Sequence, residues 1–596
     1  MNAPDLLTDP SAADAAEREQ PPESSAKALW PDIKHGAALI KRYVKADPLV
    51  APLLFAAELC SGAVTSVLFL QMQINLAAIT NALAARDGSV ISGLLTKIIM
   101  AGAILAVVGT VVAWTRYTLR IRFRRVLTEN LVGRWIAANR FYHLERRARL
   151  DYPEQRIQED VYQFIERLTT IAPILIFSSF GIFLYTAQLW KLSPPIVLDA
   201  IGLHHPIPGF LVYVAFGFAI LWTFVTHVFG RSLTRAEVVR QRLEAQFRQE
   251  MAAVRENGES IAFARGAKIE GERLADTFNL IRKNWRFYTF ANLKITIVGG
   301  LPETIMLIGP TLLCAPFVIS GQMQIGDIAL VAASFSQVYS GVGILIRQYA
   351  ELALLRSSVA RLRLLDELLA ADMRSDIAVL EDAGVGIQVC DLAIAFPDGE
   401  VMNTIGDLII SPGERLLVKG PSGAGKSTLL RSIAGLWPFG GGSVTLPRDA
   451  AIAFLPQRGY MPNGTLASLM SYPRTSDAHG DADYAALLER LGLARLVCRL
   501  HEHRPWSRIL SPGEQQRIAA ARAILANPDY LFVDEATSAL DTQSEARLYS
   551  LLAERLPNAA LVSVAHRPAV ERFHDTVLTL DGGKALTTPA ARPAGA

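Results

Sequence analysis

The segment from Gly420 to Thr428 is the feature that most constrains what this chain can fold into. It fits the pattern G-x-x-x-x-G-K-[ST] through Gly420, Pro421, Ser422, Gly423, Ala424, Gly425, Lys426, Ser427 and Thr428. A strand-like run, Arg415–Lys419, precedes it, and a helical pattern follows it from Leu429, as a phosphate-binding loop requires. The glycines let backbone N–H groups turn towards a phosphate, and the next helix presents its positive end. The alternative is a glycine-rich turn that matches by chance, which the flanking patterns disfavour.

A second apolar run ends in two carboxylates. Tyr530–Val533 reads as a buried strand and is followed by Asp534 and Glu535. We expect Ser427 to ligate Mg²⁺ and Asp534 to hold the shell of that ion. Glu535 would orient or deprotonate an attacking water, while Lys426 would reach the β- and γ-phosphates of the nucleotide. These residue types predict hydrolysis of a nucleotide.

Further motifs follow in a fixed order along the C-terminal third. The strand-like run Ala451–Leu455 is followed by Gln457, and Leu561–Ala565 is followed by His566. Between them lie Leu510–Arg517, which reads Leu-Ser-Pro-Gly-Glu-Gln-Gln-Arg, and Ser538–Asp541, which begins three residues after Glu535. This ordered set resembles the nucleotide-binding domain of ABC transporters.

The resemblance implies a role for each motif, with ATP and Mg²⁺ as the cofactors. Ser511 and Gly513 would contact the γ-phosphate of an ATP that the opposite subunit holds. Asp541 would bridge the two subunits, and Gln457 would bind both nucleotide and metal. The implied metal ligands are Ser427, Gln457 and Asp534, and the implied catalytic residues are Lys426, Glu535 and His566.

Phe396 is the candidate for stacking on the adenine ring. It lies upstream of the phosphate loop, at the place where the resemblance implies an aromatic side chain. The alternative is a core aromatic residue within a strand. The sequence leaves both interpretations open.

The segment that resembles the family's signature departs from Leu-Ser-Gly-Gly-Gln at two positions. Pro512 takes the third place and Glu514 the fifth. Proline has no N–H and holds φ near −65°, so any contact that needs this N–H or a free φ is lost. Because Gly513 remains, we expect a working but slower site.

Composition indicates a membrane protein that carries a soluble domain. The chain has 596 residues, of which 51% are hydrophobic and 19% charged, so more than one domain is expected. A net charge of +3 gives no argument for a nucleic-acid partner. The four cysteines form no C-x-x-C pair and no zinc spacing.

Six long apolar segments predict six membrane spans, near 49–80, 91–115, 170–190, 209–230, 294–319 and 327–347. Residues 116–150 carry ten arginines and two acidic residues, and residues 231–294 carry 13 basic against eight acidic residues. The other connections hold few basic residues, so the positive-inside rule places both basic connections in the cytosol. The C-terminal ATPase domain would then also be cytosolic.

The ends of the chain and the connections complete the predicted organisation. Residues 28–46 alternate apolar and basic groups, which predicts either a helix lying on the membrane surface or a plain solvated helix. The predicted division is a disordered cytosolic tail at 1–27, an amphipathic surface helix at 28–46, a transmembrane domain at 47–370, a linker at 371–384, a nucleotide-binding domain at 385–583 and a disordered tail at 584–596.

The fold class follows from these parts. We expect an all-α six-span transmembrane domain of the exporter-type ABC fold, followed by an α/β P-loop nucleotide-binding domain. Since that fold needs twelve spans and each ATP needs a signature from the other subunit, the resemblance implies a homodimer in a lipid bilayer. The long basic connections would extend the spans as helical stalks.

Two segments of the predicted stalks resemble particular groups within the ABC transporters. Asp151–Asp160 is similar to the Asn-Pro-Asp-Gln-Arg-Ile segment of the peroxisomal half-transporters (the D subfamily) and of the bacterial SbmA/BacA-like proteins. Arg255–Phe263 with Gly266 resembles their second shared segment, although Ala264 replaces its aromatic residue. The chain looks like an SbmA/BacA-like protein fused to an ATPase domain in a bacterial inner membrane. This resemblance implies uptake of hydrophilic cargo, notably peptides including antimicrobial ones, and in some members cobalamin.

Two other functions stay open from the sequence. One is a transporter of fatty acids or fatty-acyl-CoA of the peroxisomal type, and the other is a membrane-anchored regulatory ATPase that moves nothing. Glu58, Gln71, Gln73 and Asn75 in the first span and Glu303 in the fifth are polar groups at membrane depth. They predict either contacts that hold helices together or the wall of a wet cavity for polar cargo.

Overall fold

The computed structural model describes residues 26–147, 152–198, 203–371, 375–384, 386–565, 567–581 and 585–589. The chain divides into two compact units. The first contains residues up to 137 and residues 152–369, and the second contains residues 138–151 and 370 onwards. The predicted tail at 1–27 lies almost wholly outside the described residues, as does most of the tail at 584–596.

Helices make up most of the first unit. They are α1 Ala26–Ala46, α2 Val50–Ala84, α3 Ile91–Ile136, α5 Val161–Leu192, α6 Phe210–Glu256, α7 Ala267–Ile319, α8 Ile325–Val342 and α9 Tyr349–Ala370, while α4 Arg140–Arg147 belongs to the second unit. Shorter helical segments lie at Pro153–Gln155, Arg156–Asp160, Gly258–Phe263 and Ile344–Arg347. A two-stranded antiparallel hairpin, β1 Ile196–Leu198 and β2 Leu203–Ile207, connects α5 to α6.

The prediction of six spans is confirmed within the described part of the chain, where six helical stretches are long and apolar enough to cross a bilayer. The last span is shorter than the predicted 327–347. It ends at Val342, because the helix stops at Gly343 and Ile344–Arg347 forms a separate short helix. Helices α3, α6 and α7 have 46, 47 and 53 residues. At 1.5 Å per residue each is about 70–80 Å long, well beyond a hydrocarbon core of about 30 Å.

Glycine and a buried ion pair set how the spans pack. A Cβ on Gly326 of α8 would lie 2.1 Å from the carbonyl oxygen of Ala77 in α2, so only glycine permits this close helix crossing. The Gly326 N–H donates to the side chain of Asn81 at 2.5 Å. Glu58 of α2 is 2% exposed and accepts a hydrogen bond from Arg116 of α3. Glu58 therefore joins two helices, whereas Glu303 is exposed on α7.

Three buried carboxylates hold α9, the helix that leads out of the last span. Asp32 of α1 is 3.1 Å from Arg356 and 3.2 Å from Arg363 of α9. Asp160, at the end of the Arg156–Asp160 turn, binds Arg361 of α9. Since buried charges are stable only when paired, these contacts fix α9 against its neighbours.

Asp366 is the third carboxylate, and it lies on α9 itself. It accepts hydrogen bonds from Arg42 of α1, at 3.0 Å, and from Arg134 of α3. Leu39 and Tyr43 of α1 are fully buried beside this cluster. The helix predicted at 28–46 thus spans Ala26–Ala46 and buries one face within the protein. It is therefore not the plain solvated helix that the sequence left open.

Two β-sheets form the second unit. The first is mostly parallel, in the order β13 (Ala585–Pro589), β12 (Thr576–Leu580), β7 (Arg415–Lys419), β11 (Ala560–Val564), β10 (Tyr530–Asp534) and β9 (Ile452–Leu455). The second contains β3 (Ala378–Asp382), β8 (Gly440–Pro447), β4 (Ile387–Ala395) and β5 (Val401–Ile405), with β6 (Leu408–Ile410) paired to β4. The helices are α10 Lys426–Ile433, α11 Leu466–Ser471, α12 Asp481–Arg490, α13 Pro512–Ala526 and α14 Thr542–Arg555. This α/β architecture confirms the predicted fold class.

Three domain limits set from the sequence need correction. The segment 371–384 was assigned to a linker, but its residues Ala378–Asp382 form β3, which pairs with β8. The domain was expected to end at residue 583, yet β13 pairs with β12 as far as Pro589. Residues 138–151, which were placed in the transmembrane domain, group with the second unit. Each error has the same cause: strand pairing and packing are long-range and leave no local sequence signal.

Candidate functional site

The strand order of the parallel sheet brings the predicted motifs to one edge. Strands β7, β11, β10 and β9 are neighbours and run parallel. In parallel sheets the carboxyl ends of the strands lie at the same edge, where ligands bind. The phosphate loop follows β7, Asp534 and Glu535 end or follow β10, and Gln457 follows β9. His566, which follows β11, lies outside the described residues.

The phosphate loop needs glycine at two of its positions. Gly420 has φ of +151° and Gly425 has φ of +87°. A Cβ on Gly420 would lie 2.4 Å from the carbonyl oxygen of Leu580, and one on Gly425 would lie 2.8 Å from the sulfur of Met402. The loop therefore passes close to neighbouring atoms and turns into α10, whose first residue is Lys426. This geometry points the N-terminus of α10 into the loop, as anion binding requires.

Lys426 folds its side chain over the loop. Its ammonium donates to the carbonyl oxygens of Gly420, at 2.9 Å, and of Pro421, at 2.8 Å. The residue is 6% exposed, and burial lowers the pKa of its ammonium, although Glu535 and Asp534 act in the opposite sense. A positive charge held among loop carbonyls is suited to transfer its hydrogen bonds to phosphate oxygens.

Ser427 and Asp534 form the candidate magnesium site. The Ser427 hydroxyl donates to Asp534 Oδ1 at 2.7 Å, across 107 residues of sequence. Burial raises the pKa of the Asp534 carboxyl, and the hydrogen bond from Ser427 opposes that shift. Hydroxyl and carboxylate oxygens are the hard ligands that Mg²⁺ prefers, so this pair fits the ion. Among the described residues no group of three or more His, Cys, Asp or Glu is arranged for a metal.

Glu535 lies next to Gln457 in a left-handed backbone conformation. Its φ is +45°, which is rare for a residue other than glycine. The Gln457 side-chain amide donates to Glu535 Oε2 at 3.4 Å. The structure therefore brings the loop after β9 into contact with the carboxylate after β10.

The segment Leu510–Arg517 begins helix α13 with a capping box. The Ser511 N–H donates to Glu514 Oε2 at 3.0 Å, and the Glu514 N–H donates to Ser511 Oγ at 3.4 Å. Burial alone would raise the pKa of Glu514, but the bonds from Ser511 and Arg495 outweigh it and lower this pKa. Pro512 occupies the first helical position, where its missing N–H breaks no bond of the helix.

The Ser538–Asp541 segment is held by residues that the sequence did not single out. Asp541 caps α14 by accepting from the Ser544 N–H at 2.7 Å, which lowers the pKa of its carboxyl. Arg567 donates to the carbonyl oxygen of Leu540 at 2.7 Å and is 3.5 Å from the buried carboxylate of Glu545. In the sequence, the only signal for the contact of Arg567 with Leu540 is that an arginine follows the run from Leu561 to His566.

Phe396 lies outside the core, so the interpretation as a buried strand aromatic is wrong. It follows β4 in a turn, and 40% of its surface is exposed. The preceding carbonyl, that of Ala395, accepts a hydrogen bond from the Trp437 indole at 3.0 Å. The guanidinium of Arg146, at the end of α4, lies 5.9 Å from the Trp437 ring. The ring of Phe396 is therefore available for stacking and its backbone is anchored.

Comparison with known proteins identifies both parts of the chain. Residues 40–318 match the family described as ABC transporter transmembrane region 2, and residues 406–538 match the ABC transporter family. The inner membrane ABC transporter ATP-binding protein YddA of Escherichia coli is 30% identical over 78% of this chain and 82% of its own length. ABC transporter D family member 2 of Arabidopsis thaliana is 25% identical over 78% of this chain and 74% of its own. The lysosomal cobalamin transporter ABCD4 of the mouse is 27% identical over 91% of this chain and 95% of its own.

Proposed function

The chain belongs to the ABC transporter family, and from that premise we propose that it imports a hydrophilic solute, cobalamin or a peptide, across the bacterial inner membrane. As a member of this family with homologues in the D subfamily, it is an integral membrane protein that couples ATP hydrolysis to transport. Beyond what the family establishes, we propose the cargo, the direction of transport and the bacterial inner membrane as its place. It also assigns the chain to the SbmA/BacA-like proteins fused to an ATPase domain.

One observation carries the proposed cargo. The relative named as a lysosomal cobalamin transporter aligns with 91% of this chain and 95% of its own length, so the likeness includes the spans as well as the ATPase domain. Polar groups in the spans support a wet path. Gln71 donates to Asn75 at 3.3 Å in α2, and Glu303 is exposed on α7. A charge exposed at membrane depth is costly unless it faces water or a partner.

Each site residue of the ATPase domain has a role in this proposal, and the geometry of the described ones is compatible with it. Lys426 and the glycines of the loop would bind the phosphates, and Ser427, Gln457 and Asp534 would hold a magnesium ion, which would supply positive charge to neutralise the phosphates. Glu535 would accept a proton from the attacking water or orient it, and the sequence motif assigns His566 to the γ-phosphate. The domain would lie in the cytosol, as would the basic connections.

A homodimer is part of the proposal. In one chain, Ser511 caps α13, Gly513 lies in its first turn and Asp541 caps α14, and all three are in segments separate from the phosphate loop. A second chain would bring its own Ser511 and Gly513 to the γ-phosphate, and Asp541 would bridge the two subunits. Phe396 would stack on the adenine of its own subunit.

Transport assays in liposomes test which cargo the protein moves and in which direction. The purified chain, reconstituted with its ATPase domains outside, is given ATP and radiolabelled cobalamin, a labelled peptide or labelled acyl-CoA in parallel. Export in the cell would appear as accumulation inside such inverted vesicles, whereas import would appear as loss of cargo that was loaded inside. Vesicles that carry Glu535→Gln protein provide the control without hydrolysis. We expect ATP-dependent loss of loaded cobalamin or peptide; movement of acyl-CoA alone would replace the proposal with the fatty-acyl alternative, and no movement of any cargo would favour a regulatory ATPase.

A further inference from the structure

Gln516 joins two loops of the ATPase site through a single buried side chain. It lies in the second turn of α13, and only 6% of its surface is exposed. Its amide nitrogen is 3.4 Å from the carbonyl oxygen of Gln457 and 3.3 Å from the hydroxyl of Ser538. Its amide oxygen accepts from the N–H of Ala539 at 3.1 Å. The amide nitrogen thus contacts both loops, and the amide oxygen makes a second contact with the Ser538–Asp541 segment.

The same face of α13 contacts both loops on either side of Gln516. A Cβ on Gly513 would lie 3.2 Å from the carbonyl oxygen of Ala539, so this turn packs closely on the Ser538–Asp541 segment. A Cβ on Gly459 would lie 2.9 Å from the Cβ of Ala519, so the loop that carries Gln457 packs closely on the next turn. Gly513, Gln516 and Ala519 are three residues apart and therefore share one face of the helix.

The two loops carry atoms on which hydrolysis depends. Gln457 reaches Glu535 with its side chain at 3.4 Å, while its own backbone carbonyl is the group that Gln516 contacts. Ala539 lies four residues after Glu535, on the same connection from β10 to α14. A change at Gln516 would shift the loop carrying Gln457 and the segment following Glu535 relative to each other.

We propose that Gln516 is a positioning residue for ATP hydrolysis, which fixes the Gln457 loop and the Ser538–Asp541 segment against α13 so that Gln457 and Glu535 face the same water. The inference rests on the proposed roles of Gln457 and Glu535. In this role Gln516 acts through its contacts with Gln457, Ser538 and Ala539. A displacement of about 1 Å at such a site is enough to slow a reaction about 100-fold.

Two substitutions separate positioning from folding. Gln516→Met keeps the length of the side chain and removes all three hydrogen bonds, and Gln516→Glu keeps the acceptor for Ala539 but removes the donors to Gln457 and Ser538. Gln515 provides the matched control, since its amide donates to the carbonyls of Ser507 and Leu510, both at 2.9 Å, and reaches neither loop. Gln515→Met and Gln515→Glu are therefore made alongside.

The measurement is the ATPase rate of the full-length chain in liposomes without cargo, as kcat and KM for ATP, together with the melting temperature. For Gln516→Met we expect kcat to fall about 10- to 100-fold with KM within about twofold of wild type. For Gln516→Glu we expect a loss of kcat at least as large, because a buried carboxylate oxygen would face the carbonyl oxygen of Gln457. A kcat for Gln516→Met within about twofold of wild type would overturn the inference. So would an equal loss in Gln515→Met, or a loss of kcat that comes with a higher KM and a lower melting temperature. No cargo enters the assay, so an error in the proposed cargo leaves this result unaffected.

Discussion

The hydroxyl of Ser427 donates a 2.7 Å hydrogen bond to the carboxylate of Asp534. Ser427 belongs to the helix after β7, and Asp534 ends β10, which is separated from β7 by β11. The bond therefore spans the middle of the parallel sheet and fixes the two oxygens that would share a magnesium shell.

This relationship predicts how ATP hydrolysis depends on magnesium. Asp534→Asn should raise the Mg²⁺ concentration for half-maximal ATPase activity about 10-fold or more, because it removes the charge that orients the shell. Asp529→Asn is the matched control at the other end of β10, where Asp529 binds the Ala451 N–H at 2.7 Å. Titration of ATPase activity with Mg²⁺ checks the result; equal magnesium requirements in the two variants would contradict the assignment of Asp534.

Glu535→Gln should bind ATP and fail to hydrolyse it. The substitution keeps the shape of the side chain and removes its ability to take a proton, so we expect a loss of about 100-fold or more in kcat. Affinity for ATP should stay near that of wild type, since the phosphate loop is untouched. Glu554→Gln, at an exposed pair with Arg490, is the control. Hydrolysis by Glu535→Gln at a rate near wild type would remove Glu535 from its role.

Substitutions of Pro512 test whether a backbone N–H at the first position of α13 would take part in hydrolysis. Pro512→Ala restores the N–H with little change of helix geometry, and Pro512→Gly restores both the N–H and a free φ. An added hydrogen bond to a phosphate of about 1 kcal/mol corresponds to a roughly fivefold higher ATPase rate in both variants. If neither rate rises while melting temperatures stay normal, this position is not used in the site and Pro512 costs the protein no activity.

The ion-pair cluster around Asp366 predicts that substitutions at two adjacent residues differ in their effect on the free energy of unfolding. Asp366 is 7% exposed and binds Arg42 and Arg134, so Asp366→Asn should lower the free energy of unfolding by about 3 kcal/mol. Its neighbour Glu367 has a side chain that is 58% exposed and pairs with Arg363, so Glu367→Gln should cost at most about 1 kcal/mol. Thermal unfolding in detergent compares them; equal melting temperatures would show that the cluster does not hold α9.

His574 predicts an effect of pH on stability. Its ring is buried between the Ser563 hydroxyl, at 2.9 Å, and the Val570 carbonyl, at 3.0 Å, and burial lowers its pKa from 6.5 to about 4. Below pH 6.5 the unfolded chain binds a proton that the folded chain excludes until about pH 4. The free energy of unfolding should therefore fall across this window, by up to about 3 kcal/mol from this residue, and level off below it.

Comparison with His574→Gln isolates the contribution of this ring from those of other titrating groups. The variant is expected to be less stable than wild type at pH 7 and to lose less stability between pH 6.5 and 4. Parallel slopes of stability against pH in the two proteins would mean that His574 does not titrate in this range.

The sequence by itself determined the elements whose causes are local. The phosphate loop is specified by glycines at Gly420 and Gly425 that accept unusual φ angles, and by Lys426 and Ser427 at the start of a helix. The six spans follow from apolar length alone. Asp534 and Glu535 could be placed at a strand end, because a run of apolar residues followed by two carboxylates leaves few other arrangements. The site residues were thus named from sequence, and their roles in catalysis stay predictions.

Tertiary structure decided which of these pieces meet. Arg42 and Asp366 are 324 residues apart, and nothing near either residue predicts that they pair. Strands β3 and β13 join their sheets through backbone hydrogen bonds, which any side chain permits, so both were assigned to a linker or a tail. Gln516 is one of two adjacent glutamines in the sequence, and only the close packing of two loops on one face of α13 distinguishes it. Such contacts depend on atoms that folding brings together from distant parts of the chain.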